Sequence, residues 1–135
     1  MIVDTSALLA FLDLHEPAHA AVVRALESDP GPFVVSPFVL AEADYLVATR
    51  HGVPAELAML DELASGAWDI ASWSSDDLRL ARSVVHRYRD QEVGLADAAN
   101  VVLAARYGTA TMATLDRRHF EVLRQLDGGS FDIVP

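Results

Sequence analysis

The feature that most constrains this chain is the brevity and spacing of its strand-like runs. Ile2-Val3-Asp4, Phe33-Val34-Val35, Trp68 to Ala71, Ala110 to Leu115 and Phe131 to Val134 each span only a few residues. Apolar, largely branched or aromatic side chains dominate them. Between them lie stretches with helical periodicity: Ser6 to Leu12, Pro17 to Glu27, Pro37 to Arg50, Pro54 to Ala64, Asp76 to Arg89 and Ala96 to Tyr107. Short strands separated by helices pair in parallel, because a crossover helix carries the chain back to the same end of the sheet. The expectation is an α/β three-layer sandwich, a central parallel twisted sheet of about five short strands with helices on both faces. No repeat or long Pro/Gly/Ser linker divides the 135 residues, so 1–135 reads as one domain.

Local signals mark several boundaries. Ser36-Pro37 offers an N-cap followed by Pro at the first helical position, where its missing N–H costs nothing. Gly52 and Gly108 each follow a helical stretch and read as stops. Ser74 with Asp77 has capping-box spacing. In parallel sheets the working crevice lies outside the carboxyl ends of the strands, so chemistry is sought there.

Composition narrows the function. Hydrophobic residues make up 52% of the chain, enough for a buried core, and cysteine is absent. Disulfides, thiolate metal sites and cysteine nucleophiles are therefore excluded. No apolar run approaches the roughly 18 residues of a membrane span, and no basic leader opens the chain, so a cytoplasmic location without membrane contact is expected. Twenty acidic residues against ten basic ones give a net charge of −10, and all ten basic residues are Arg. Without Lys the chain cannot be a P-loop NTPase, a pyridoxal enzyme or a response-regulator receiver. So acidic a protein is also a poor non-specific nucleic-acid binder. Were it to act on a nucleic acid, a divalent cation could neutralise its carboxylates.

Most of those carboxylates suit loops, helix starts or solvated faces. Four stand out. Asp4 ends the run Ile2-Val3, and Asp116 closes the run from Ala110 to Leu115. Glu42 has Phe38, Val39, Tyr45 and Leu46 as its i±3 and i±4 neighbours, an apolar stripe with one charge in it. Asp97 opens the helix that continues through Asn100, Val101 and Ala104 on the same face. Singly, Asp4 fits a strand-end turn, Asp116 a capped turn or an Arg pair, and Asp97 a helix N-terminal acid. Jointly, four acids converging on one crevice would repel each other, and sharing a hard cation such as Mg²⁺ or Mn²⁺ is the economical explanation. Asp44 lies about 200° around the helix from Glu42 and faces elsewhere.

The order of these residues resembles the PIN-domain family, and within it the VapC toxins of bacterial toxin–antitoxin pairs. The stretches that carry the resemblance are Ile2-Val3-Asp4-Thr5-Ser6, Val39-Leu40-Ala41-Glu42, Gly94-Leu95-Ala96-Asp97-Ala98-Ala99-Asn100 and Ala113-Thr114-Leu115-Asp116-Arg117-Arg118-His119-Phe120. The resemblance implies a PIN-like fold and a Mg²⁺-dependent endoribonuclease, with Mn²⁺ as a possible substitute. Asp4 and Asp97 would ligate the metal directly, and Glu42 and Asp116 directly or through water. Thr5 and Ser6 would orient the first carboxylate or a water, with Asn100 in support. A further acid found in some PIN domains after the fourth is replaced here by Arg117-Arg118-His119.

Phosphodiester hydrolysis asks for an acidified water and a neutralised transition state, and a carboxylate-held Mg²⁺ offers both. Arg117 and Arg118 are candidate phosphate contacts or plain surface charges. His119 is either a proton shuttle or structural. The resemblance further implies an RNA substrate whose cleavage inhibits translation and growth, a cognate VapB-type antitoxin, a homodimer and a toxin–antitoxin hetero-oligomer. A haloacid-dehalogenase-type phosphatase would need an Asp where Ser6 stands. The alternative from another class is a silent module that binds a basic partner through its acidic face.

Overall fold

Successive residues of a strand point to opposite sides of its sheet, and here both sides are apolar. Val3, Val35 and Ala113 join one buried cluster, while Ile2, Val34 and Met112 join another. A sheet apolar on both faces must be covered twice, and the chain does so. The computed structural model describes residues 1–135. Its strands are β1 (Ile2–Val3), β2 (Phe33–Val35), β3 (Trp68–Ile70), β4 (Thr111–Ala113) and β5 (Asp132–Val134). Its helices are α1 (Thr5–Leu12), α2 (His19–Glu27), α3 (Pro37–His51), α4 (Val53–Leu63), α5 (Ser75–Arg87), α6 (Leu95–Tyr107) and α7 (Arg117–Val122).

The strand order is β3-β2-β1-β4-β5, and every neighbouring pair is parallel. Ile2 pairs with Val34 on one side and Met112 on the other. The first core is closed by Leu8 of α1, Val22 of α2, Val39 and Ala43 of α3 and Met59 of α4. The second is closed by Ala81 and Val84 of α5, Val101 and Leu103 of α6, and Phe120 of α7. This is the expected three-layer α/β sandwich.

Capping fixes where the helices begin. Ser36 Oγ accepts the Val39 N–H at 3.0 Å, with Pro37 at the first position of α3. Ser74 and Asp77 form the reciprocal capping box of α5. Gly108 ends α6 in the left-handed region at φ 62°, where an L side chain would be strained. No helix is long and apolar enough to cross a membrane.

Two points differ from the sequence reading. Helix and strand ends shift by one or two residues at several boundaries, which is ordinary fraying. Helix α7 was expected only as a turn after Asp116. At six residues it is too short to hold itself together, and burial of Phe120 and the following Leu123 fixes it.

Candidate active site

The sheet order itself creates the crevice. From β1 the chain moves outward to β2 and β3, then crosses back to β4 and β5 on the other side. The carboxyl ends of β1 and β4 therefore flank the point where the winding reverses, the usual ligand position in open parallel sheets. Asp4 follows β1 there as the N-cap of α1, and Thr114 and Asp116 follow β4.

Asp4 is 7% exposed and surrounded by neutral donors. Its Oδ2 accepts the Thr114 hydroxyl at 2.9 Å and the Ser6 hydroxyl at 3.1 Å, and its Oδ1 accepts Asn100 Nδ2 at 3.2 Å. Burial pushes its pKa above the ordinary carboxylate value, and the hydroxyl and backbone donors only partly oppose that. Asp97, at the third position of α6, accepts the Gly94 N–H at 3.3 Å. Its pKa is also raised, first by burial and then by the charge of Asp4. Neither acid has a salt bridge to Arg.

The remaining acids are tied nearby. Thr5, buried, donates to Glu42 Oε2 at 2.6 Å and so holds the third helix's acid beside Asp4. Glu42 itself is exposed, which corrects the expectation of a charge embedded in an apolar stripe. The buried stripe of α3 is Val39, Ala43 and Val47, and Glu42 and Tyr45 lie off it. Asp44 is half-buried and faces Glu56 of α4 rather than the crevice. Asp116 is the N-cap of α7, with His119 Nδ1 3.6 Å from its Oδ2 and Arg118 Nε 3.8 Å from its Oδ1. His119 Nδ1 also lies 3.4 Å from Asp97 Oδ2, so the ring bridges the two acids. Arg117 instead donates to the Pro135 carbonyl.

No three of the Asp, Glu and His side chains are gathered closely enough to hold a metal ion by themselves. The four carboxylates lie around the crevice without closing on one point. Each acid is drawn to its own donors: Glu42 to Thr5, Asp97 to Gly94 and His119, Asp116 to His119 and Arg118. Mg²⁺, however, needs only one or two carboxylates and keeps several waters. Asp4 and Asp97 offer hard oxygens with no Arg to compensate them, and the neighbouring Asn100 Oδ1 is buried without a hydrogen-bond partner. The donor set fits such an ion.

Thr114 was not singled out from the sequence, yet it is 1% exposed and central to the site. Its hydroxyl donates to Asp4 and accepts the Asp116 N–H at 3.0 Å. A Thr two residues before Asp is the spacing of a side-chain turn, the one local signal that pointed to it.

Comparison with known proteins bears on the family and the fold. The PIN domain family profile matches residues 1–125. The chain is 57% identical to ribonuclease VapC26 of Mycobacterium tuberculosis, over 100% of both chains. Among solved structures it resembles VapC20 of the same organism, described as a sarcin-ricin loop cleaving toxin, with TM-score 0.78, 23% identity and coverage of 87% of this chain and 91% of that one. A toxin–antitoxin complex from Klebsiella pneumoniae matches with TM-score 0.70, 18% identity and coverage of 99% and 95%. FitAcB from Neisseria gonorrhoeae matches with TM-score 0.68, 19% identity and coverage of 97% and 96%.

Proposed function

The chain belongs to the PIN-domain family and, within it, to the VapC proteins, and from that premise we propose that it is a Mg²⁺-dependent endoribonuclease acting as the toxin of a type II toxin–antitoxin pair. The observation that carries the reading is the Asp4–Asp97 pair: two desolvated carboxylates, the charge of Asp4 adding to the cost of ionising Asp97, with no Arg to offset them. Carboxylates are kept in such a place where a cation is to be held.

Asp4 and Asp97 would hold the ion directly, and Glu42 and Asp116 directly or through water. When bound, Mg²⁺ (or Mn²⁺) supplies Lewis acidity for hydrolysis of an RNA phosphodiester. The chain's own side chains set the geometry. Ser6, Thr114 and Asn100 fix the Asp4 carboxylate, Thr5 fixes Glu42, and His119 stands between Asp97 and Asp116 where it could exchange a proton with either. Cutting RNA in this way would inhibit translation and growth.

An antitoxin partner is supported by the toxin–antitoxin complex from Klebsiella pneumoniae that shares the fold. Exposed apolar residues on α3 and α4, among them Tyr45, Val53, Leu57 and Leu60, offer surface to an antitoxin or to a second copy in a homodimer. The deciding experiment is RNA cleavage by the purified protein with Mg²⁺ and with EDTA. Asp97→Asn, nearly isosteric, should keep the fold and lose cleavage, while Asp44→Asn should keep both. Metal-independent cleavage, or an Asp97→Asn variant as active as wild type, would overturn the assignment.

A further inference from the structure

At the carboxyl edge of the sheet, where the acids also lie, is an aromatic pair that the proposed chemistry does not use. Phe38 and Trp73 meet edge to face, with ring centroids 5.0 Å apart at 87°. Both follow strands of the same sheet edge as Asp4. Phe38 comes three residues after β2, and Trp73 three after β3. Phe38 also precedes Glu42 by four residues on α3, so the two share a helix face one turn apart. Through the Thr5–Glu42 bond that face reaches Asp4.

Both aromatic residues are half-exposed. Trp73 rests against the second core, whereas Phe38 belongs to neither core and has Trp73 as its aromatic neighbour. The loop under Trp73 is fixed on both sides. Arg106 Nη1 donates to the Ser72 carbonyl at 2.7 Å, and Ser74 opens the α5 capping box. Trp73 Nε1 is a buried donor without a partner.

Charge makes this pair significant. A protein of net charge −10 gains little from phosphate attraction. Of the two arginines that follow Asp116, Arg117 donates to the Pro135 carbonyl, and Arg118, largely exposed, lies 3.8 Å from Asp116. Base stacking on aromatic rings is a sequence-tolerant source of substrate affinity that needs no positive charge.

We infer that Phe38 and Trp73 form a stacking shelf for one unpaired base of the RNA strand, next to the phosphodiester held at Asp4 and Asp97. The inference rests on the ribonuclease reading, and it adds the two side chains that would contact a base beside the cleaved bond; a continuous duplex, whose bases present no free face, could not use them.

Two readouts test it, one of them independent of cleavage. A short unpaired oligoribonucleotide should quench the emission of Trp73, while the other tryptophan, Trp68, is 7% exposed and should not respond. Trp73→Leu should abolish that quench. In cleavage, Trp73→Leu and Phe38→Leu should each raise KM about tenfold or more, with kcat and the Mg²⁺ midpoint nearly unchanged. Trp73→Tyr should restore most of the loss. An abasic nucleotide walked along the strand should raise KM for wild type at one position and add nothing in the Leu variants.

Phe38→Leu guards against a folding artefact, because that ring lies outside both cores. No quench in wild type, or folded Leu variants with wild-type KM, overturns the shelf even if RNA is cut. Quenching without any cleavage would support the shelf and sink the ribonuclease reading instead.

Discussion

Thr114 donates its hydroxyl proton to Asp4 Oδ2 at 2.9 Å, joining two residues 110 positions apart in sequence. The bond is buried, and the Thr114 hydroxyl oxygen in turn accepts the Asp116 N–H at 3.0 Å. One side chain thus orients the acid after β1 and the backbone of the acid after β4. Parallel pairing of those two strands makes this possible, since it brings their carboxyl ends side by side.

Removing that hydroxyl is the most direct test of the arrangement. Thr114→Val keeps the shape but leaves a buried carboxylate short of a donor and the Asp116 N–H without its partner. The expected costs are about 1–3 kcal/mol of stability and about 10- to 100-fold in Mg²⁺ affinity or activity. Thr114→Ser should recover most of both. Denaturation curves and Mg²⁺ titrations on the two variants decide it, and a Val variant with wild-type metal affinity would deny Thr114 any positioning role.

The Asp4–Asp97 pair should reveal itself in stability without any RNA. Both pKa values are raised, by burial foremost. A raised carboxyl pKa favours the folded state below its unfolded value and loses that advantage as pH rises through the folded value. At neutral pH in EDTA the ionised pair is therefore a liability. Asp4→Asn or Asp97→Asn should raise the melting temperature by about 3–6 °C. At position 4 the Ser6 and Thr114 hydroxyls can turn to accept from the new amide. Millimolar Mg²⁺ should stabilise wild type by binding the folded site and should act far less on the variants. Asn variants that melt lower in EDTA, with a wild type indifferent to both Mg²⁺ and Mn²⁺, would make these acids structural.

A contrasting acid lies away from the crevice. Asp77 forms a salt bridge with Arg106 and takes part in the α5 capping box, and its pKa is lowered to about 2. The guanidinium is the leading cause, followed by the Ser74 backbone. A depressed pKa contributes stability above the unfolded value, near 3.8, and loses it as pH falls through the folded value near 2. Asp77→Asn should thus melt below wild type at neutral pH, with the gap closing between about pH 4 and pH 2. Melting temperatures across that range check the sign. A gap that widens on acidification would contradict the assigned pairing.

Charge also predicts how the antitoxin acts. Uncompensated acids in a protein of net charge −10 make an Arg or Lys side chain the natural plug for the crevice. Reversing the charge of basic residues in the antitoxin's C-terminal segment should restore nuclease activity in the mixed complex. Inhibition that survives removal of every basic residue there would point to steric occlusion or remote binding.

The sequence by itself determined the sandwich, because its signals are local. Ile2-Val3 and Val34-Val35 are apolar on both faces, which only a sheet covered twice can accommodate. Ser36-Pro37, Ser74 with Asp77, Gly52 and Gly108 mark helix ends through their own backbone chemistry. The same locality put Asp4, Asp97 and Asp116 at the carboxyl ends of strands or the start of a helix. Tertiary structure decided what local signals cannot carry. Helix α7 is six residues long and exists because Phe120 finds the second core. Glu42 is turned outward on α3 and caught by the Thr5 hydroxyl, a contact that depends on where α1 and α3 cross the sheet. Thr114 reaches Asp4 because β4 lies beside β1, and that follows from a strand order written in no single segment. Periodicity and capping act over a few residues and can be read from them. The partner of a buried carboxylate is set by sheet order and close packing across the whole chain, which only the folded molecule supplies.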